Sequence, residues 1–271
     1  MLLHISDPHF GTEQPPVVDA LLRFAHAQRP EHVVLSGDIT QRARRKQFRA
    51  AREFVDRLGV PGTLTIPGNH DIPLFNLAAR VLSPYANFAR EFGAELEPSF
   101  ESPRLLVIAL NTTRARRHKN GEVSLQQIER VAQRLRAARN SQLRIVVVHQ
   151  PIAVLHEEDE HDRLRGHADT AIERWSQAGA DLVLGGHIHL PYVLPLHERS
   201  PGIARRMWAV QAGTAVSRRV RNGVPNSVNV IRWGDGLPDG RCAIERWDYL
   251  EQARAFDKVA ATLLDTGWQG R

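Results

Sequence analysis

Short, strand-like and mostly apolar runs recur through the first two thirds of the chain, and each ends in a small polar island. The runs are Leu2 to Ile5, His32 to Leu35, Thr63 to Ile66, Leu143 to Val148 and Leu182 to Leu184. Runs this short and this continuously apolar fit parallel strands buried on both faces. Between them, apolar residues return at helical spacing over Pro16 to Gln28, Gln41 to Leu58, Leu74 to Phe92, Ser124 to Ala138 and Ala168 to Ala178. In the second of these stretches Phe48, Ala51, Val55 and Leu58 make one stripe. Strand and helix alternate, which predicts right-handed parallel crossovers. After His189 the pattern changes to strand-like segments without long helices: Met207 to Ala212, Ser227 to Trp233 and Cys242 to Tyr249. Gly234-Asp235-Gly236 and Pro238-Asp239-Gly240 mark a hairpin loop between the last two. The pattern predicts a single α/β domain over residues 1–271, with a mainly parallel, helix-bearing sheet packed on a more antiparallel one.

The polar islands carry the chemistry. They are Asp7-Pro8-His9, Gly37-Asp38, Gly68-Asn69-His70-Asp71, His149 and Gly186-His187-Ile188-His189. Sites on parallel sheets form beyond the carboxyl ends of the strands, so islands at such ends converge on one crevice. Asp7 and His9 offer a carboxylate and an imidazole from one loop, Asn69 a neutral carbonyl oxygen, and His149, His187 and His189 imidazole nitrogens. Asp38 can bridge two cations through its two oxygens. Such mixed nitrogen/oxygen ligands suit manganese, iron, zinc or cobalt, as divalent or mixed-valence ions, better than calcium or magnesium. Two divalent ions, less the charges of Asp7, Asp38 and a bridging hydroxide, leave about one positive charge to attract a phosphate. His4, His26, His32 and His118 match no island and read as structural. The run His156 to Asp162 is metal-like in composition but reads as a solvated, mobile loop over the site.

Composition narrows the class. The chain has 271 residues, 42% of them apolar and 24% charged, as in an ordinary globular protein. No apolar run approaches the ~20 residues of a membrane helix, and the N-terminus enters the first strand without a leader-like segment. The single cysteine, Cys242, fits a reducing interior. A soluble, cytoplasmic protein is expected. The net charge of +6 and pI near 10.2 come mostly from arginine. Clusters at Arg42 to Lys46, Arg114 to Lys119 and Arg218 to Arg221 read first as solvated faces, with an acidic membrane or lipid as the other reading. No separate nucleic-acid module is visible. Arg42, four residues past Asp38, and Arg218, after the turn at Gly213-Thr214, are placed to meet a substrate anion at the crevice mouth.

Asp7-x-His9, Gly37-Asp38, Gly68-Asn69-His70-Asp71, His149 and Gly186-His187-x-His189 resemble the calcineurin-like metallophosphoesterase superfamily, over residues 7 to 189. The resemblance implies a four-layer αββα sandwich of two mixed sheets flanked by helices, with a dinuclear site at the strand ends. By motif position, Asp7, His9, Asp38 and His189 hold one metal, and Asp38, Asn69, His149 and His187 the other. His70 matches the histidine that contacts the phosphate and protonates the leaving group after in-line attack by a bridging hydroxide. In the protein phosphatase branch the second motif continues with Asp and Arg; here Ile39-Thr40-Gln41-Arg42 follows, and Asp71 is the remaining candidate to support His70. The opening Ile5 to Phe10 and Gln211 to Thr214 are most similar to bacterial cyclic-nucleotide-phosphodiesterase-like members. Those members have a second histidine after the first where Gln150 stands. The expected function is hydrolysis of a small phosphodiester, a cyclic nucleotide or a glycerophosphodiester. The alternative is a lipid-linked or nucleotide-sugar pyrophosphate, suggested by Ile72 to Leu77 with Leu82, Tyr85 and Phe88; those residues read first as a buried helix face. A nuclease and a non-catalytic scaffold rank lower.

Overall fold

The computed structural model describes residues 1–199, 203, 205–221, 223–234, 236–238 and 240–266. The first half runs β1 (Leu2–Ile5), α1 (Pro15–Gln28), β2 (His32–Leu35), α2 (Arg45–Leu58), β3 (Gly62–Thr65), α3 (Leu77–Leu82) and α4 (Ala86–Phe92). It continues through β4 (Ser99–Ser102), β5 (Leu105–Ala109), β6 (Glu122–Val123), α5 (Leu125–Arg136), β7 (Leu143–Val147), β8 (Arg165–Gly166), α6 (Ala168–Ala178) and β9 (Leu182–Gly185). The rest is strand: β10 (Tyr192–Pro195), β11 (Trp208–Gln211), β12 (Ser227–Trp233), β13 (Arg241–Leu250) and β14 (Ala255–Asp265).

Two six-stranded sheets form the middle layers, ordered β14-β13-β12-β1-β2-β3 and β10-β11-β9-β7-β5-β4. Both are mixed. In the first, β1, β2 and β3 are parallel, while β12, β13 and β14 extend the β1 edge antiparallel. In the second, β5, β7, β9 and β11 are parallel, with antiparallel β4 and β10 at the edges. The second sheet is thus the mainly parallel one and the first the more antiparallel, with the expected parallel strands shared between both. β6 and β8 pair separately.

Alternation along each strand explains the layering. Leu2, Val34 and Leu64 face the second sheet and pack with Val107, Ile145 and Leu184 in the central core. Their neighbours Leu3, Val33 and Leu35 point outward, against α1 and α2 through Leu21, Phe48 and Phe54. On the far side Ile108, Val146 and Val183 meet Val131, Leu135 and Trp175 of α5 and α6. Each central strand is thus apolar on both faces, which is why its sequence is a continuous run.

Several elements depart from the sequence pattern. α2 starts at Arg45 and not Gln41, because Ala43 takes a left-handed φ of 52° and Gln47 caps from inside, accepting from Arg42 N and Arg44 N. The stretch Leu74 to Phe92 splits into α3 and α4 at Ser83-Pro84, where proline cannot continue a helix. No residue of α3 is buried, so the expected buried face fails there; Phe88 of α4 anchors that region in the core, with the half-buried Phe92 packed beside it. Strand β5 and the β14 edge were not among the expected strands. In β14 only Phe256 and Leu264 are buried, leaving little periodic signal. Asp235 and Asp239 of the expected hairpin loop lie outside the described residues.

Candidate metal centre

The carboxyl ends of both sheets open on one edge, and the loops there leave their strands abruptly. Asp7, His9, Asp38, His187 and His189 all have left-handed backbones, with φ between 44° and 73°. Aspartate and histidine enter that region more readily than most residues, though at a cost. The loops brace one another: Asp7 N donates to Gly37 O (3.1 Å), His9 N to Asp38 O (3.0 Å) and Gly186 N to His149 O (2.9 Å). Two glycines permit this approach. A Cβ on Gly68 would collide with the Asp38 backbone and carboxylate, and one on Gly186 with Ser6 and Asp7.

Asp71 belongs to the same bracing. Its carboxylate is buried and accepts from Ile39 N (3.0 Å), Gly68 N (2.8 Å), Thr40 N (2.8 Å) and Thr40 Oγ1 (2.8 Å). The His70 ring is not among its partners; that ring's Nδ1 donates to Gln41 O at 3.0 Å. The support expected from Asp71 comes instead from a main-chain carbonyl, because Asp71 is fully used in joining the second and third islands. Burial and the nearby Asp38 carboxylate push Asp71 up to about 7, against the pull of its backbone donors.

Seven side chains converge where the islands meet. Asp7, His9, Asp38 and His189 place one ligand atom each within 4.8 Å of one another, and so do Asp38, His149 and His187. Asp38 belongs to both groups: Oδ2 lies 3.7 Å from His9 Nε2, and Oδ1 lies 3.3 Å from His149 Nε2. Asn69 Oδ1 joins the second group, 3.2 Å from His149 Nε2. The atoms fit a pair of cations. Two imidazole nitrogens each ~2.1 Å from one ion lie about 3 Å apart at a right angle, and His9 Nε2 and His189 Nε2 are 3.0 Å apart. Asp7 Oδ1 and both ring nitrogens of His187 are buried without a hydrogen bond among the described residues. Orphaned lone pairs of this kind are costly unless a cation meets them.

The outer partners orient these ligands. His149 Nδ1 donates to Ser36 O (2.8 Å) and His189 Nδ1 to Arg219 O (2.6 Å), which turns each Nε2 lone pair inward. Asp7 Oδ2 accepts from His187 N (2.9 Å) and Ser6 Oγ (2.6 Å), which frees Oδ1. Behind Ser6 a buried chain runs through Ser36 Oγ (2.8 Å) to His4 Nε2 (2.9 Å), so His4 braces the site from within β1. Burial alone would raise Asp7 and Asp38, but the surrounding histidines outweigh it and hold both carboxyls below their ordinary range. Burial opposes a proton on His149 as well, yet Asp38 raises that ring to about 9.

An arginine that the sequence did not single out faces this centre. Arg219 Nη1 lies 3.1 Å from His70 Nε2, 3.1 Å from Gln41 Oε1 and 3.5 Å from His9 Nδ1. Arg218, the sequence candidate, is exposed; its main-chain N–H bonds Thr12 O (3.1 Å), and no ion pair of its side chain occurs among the described residues. Ser217 forms an isolated antiparallel bridge with Glu13, and after it Arg218 is exposed while Arg219 is half-buried. Arg42 stands at the mouth, lining a hollow with Asn69, His70, Arg80 and His118, and lies 5.6 Å from the Phe75 ring centre.

The acidic run is solvated at His156, Glu157, Glu158, Glu160 and His161, as expected, but is anchored over the site by two buried carboxylates. Asp159 is buried and pairs with Arg221 (2.7 Å); Asp162 lies 3.5 Å from His187 Nε2 and 2.5 Å from Lys119 Nζ. Gln150 turns away from the centre, accepting from Thr112 Oγ1 (2.6 Å) and donating to Lys119 O (3.2 Å). No helix among the described residues is long and apolar enough to cross a membrane.

Known proteins place this arrangement. A model of the calcineurin-like phosphoesterase family matches residues 1–191. The glycerophosphodiester phosphodiesterase GpdQ of Enterobacter lignolyticus (strain SCF1) is 35% identical over 82 residues, a stretch covering 26% of this chain and 29% of that protein. The purple acid phosphatase PPD1 of yellow lupin superposes with a TM-score of 0.70 at 10% identity, over 97% of this chain and 53% of that one. A dimetal phosphatase of Danio rerio superposes with a TM-score of 0.64 at 13% identity, over 98% of both chains. At these identities the two structures speak for the fold alone, and the family match carries the chemistry. The chain, which spans less than a third of the length of the curated relative it matches, belongs to the calcineurin-like phosphoesterase family.

Proposed function

We propose that the protein is a phosphodiesterase acting on a small diester, such as a cyclic nucleotide or a glycerophosphodiester. The observation that carries the reading is the Arg219–His70 contact beside the converging ligands. One guanidinium next to a site of about one net positive charge suits a singly charged phosphodiester. The partial likeness to a glycerophosphodiester phosphodiesterase supports the same class.

In this reading Asp7, His9, Asp38 and His189 hold one cation, and Asp38, Asn69, His149 and His187 the second. Manganese, iron, zinc and cobalt fit these donors as a divalent or mixed-valence pair. When bound, the pair neutralises phosphoryl charge and lowers the pKa of a water. The chain's own groups do the rest. The Gln41 carbonyl fixes the His70 proton on Nδ1, so in the neutral ring Nε2 accepts from Arg219. A substrate oxygen entering between them accepts from Arg219 instead. Nε2, released from Arg219, takes up a proton from solvent and passes it to the departing oxygen as the ester bond breaks, which returns the ring to its neutral form. Arg42 guides the anion from the rim. Asp71 keeps Asp38 and Asn69 in register and takes no proton from substrate.

A second reading, hydrolysis of a lipid-linked or nucleotide-sugar pyrophosphate, is favoured by the exposed apolar side chains of the α3 region beside the hollow. Metal-reconstituted protein assayed on bis-p-nitrophenyl phosphate, p-nitrophenyl phosphate, cyclic AMP, a glycerophosphodiester and a diacylated UDP-sugar separates the two. Diesters should turn over fastest. A preference for the acylated pyrophosphate would replace the first reading with the second, and turnover of none would remove both.

A further inference from the structure

Large apolar side chains are exposed in one place above all. In the loop before α3 and in α3 itself, Phe75 is 79% exposed, Leu77 70%, Val81 77% and Leu82 82%. The helix holds its position by polar means. Asn76 Oδ1 caps Ala79 N (3.0 Å), and Arg80 donates to Pro73 O (3.0 Å) and Arg117 O (2.7 Å). These contacts fix the backbone while the apolar side chains face outward, the reverse of a surface helix that packs by its apolar stripe.

The charge around this patch has one sign. Residues 72–90 contain arginines and no Asp or Glu, and the adjoining Arg114-Ala115-Arg116-Arg117-His118-Lys119 is equally free of them. Glu122 is shared by Arg114, Arg116 and Arg117, so one carboxylate meets three guanidinium groups. Arg42 stands beside Phe75 at the same rim. Exposed apolar tips set in a basic collar complement a bilayer with anionic headgroups, where the tips enter the acyl boundary and the arginines meet phosphates. We propose that the α3 region is a membrane-docking surface for an anionic phospholipid bilayer, which sets the mouth of the metal centre against the lipid headgroups. The surface lies beside the hydrolytic site, and the inference stands whichever ester is cleaved there.

The test is co-sedimentation of the full chain with phosphatidylcholine vesicles prepared with and without phosphatidylglycerol. Binding should require phosphatidylglycerol and weaken with salt. Leu77→Gln/Leu82→Gln keeps good helix formers at exposed positions. It should lower vesicle partitioning roughly 10- to 100-fold, while melting temperature and turnover of a soluble diester without vesicles stay unchanged. Equal partitioning of the variant and the native chain would overturn the proposal, as would failure to bind phosphatidylglycerol vesicles. A dimer in sedimentation velocity that the same variant dissolves, without vesicle binding, would assign the surface to a second copy instead. Absence of diester turnover in a native chain that binds the vesicles would count against the phosphodiesterase reading alone.

Discussion

Arg219 offers the most informative single substitution, because its side chain and its main chain serve different ends. The carbonyl of Arg219 orients His189 (2.6 Å), whereas the guanidinium reaches His70 and Gln41, both at 3.1 Å. Arg219→Gln removes the second contact set and leaves the first. A hydrogen bond from a charged donor contributes about 1.5–3 kcal/mol, which corresponds to a roughly 10- to 150-fold fall in kcat/KM. The loss should fall mainly on KM for a diester, since Arg219 meets the anion before the bond breaks. Arg219→Lys should recover only part of it, because an ammonium lacks the planar fork. Steady-state kinetics with metal content measured on the same samples decides the matter. Unchanged kcat/KM with full metal occupancy would refute a substrate-facing Arg219. Loss of metal would show that the side chain, and not only the carbonyl, supports the ligands.

Three other outcomes follow from the centre and its bracing. Asp38→Asn should deplete both metal positions together and abolish turnover, because Asp38 is common to both ligand groups; elemental analysis showing two ions in an active variant would refute the shared role. His70→Ala should keep both metals and lose roughly 10²–10⁴-fold in turnover of alkyl esters, with a smaller loss for p-nitrophenyl esters; equal losses would assign His70 to binding and not proton donation. Burial lowers His4 from 6.5 to about 3 despite the attraction of Asp7. The unfolded chain then binds the extra proton first, so the His4 contribution to stability is whole above pH 6.5 and is lost as pH falls towards 3, at most about 5 kcal/mol. Urea titrations of His4→Gln across this range should show a flatter acid dependence than the native protein, and parallel curves would sink the assignment.

The central layers were legible in the sequence because burial on both faces writes itself as near-continuous apolar runs. Leu2 to Ile5 and His32 to Leu35 match their strands end to end. Which sheet each strand joins is decided by pairing across the chain, such as β1 with β12, and local composition carries no trace of it. The edges were harder: β14 shows alternation only at Phe256 and Leu264. At the centre, every ligand candidate stands with the others because each is tied to a strand end. The arginine beside His70 is Arg219, one position past the Arg218 read from the sequence, and the bend at Arg218 leaves no periodic signal to tell the two apart. Asp71 looked like a partner for its neighbour, but its carboxylate reaches across to Ile39 and Thr40.

The left-handed backbone at Asp7, His9, Asp38, His187 and His189 has a consequence for how such a chain can change over generations. At His187, whose ring nitrogens make no hydrogen bond among the described residues, glycine would relieve the backbone without removing a bond that the fold uses. A Gly substitution at His187, where φ is 73°, is therefore expected to hold or raise the melting temperature of metal-free protein while removing a ligand. Stability and activity pull these codons in opposite directions. Without a cation to bind, the chain would lose nothing at His187 by that exchange, so its strained backbone is kept at the expense of stability.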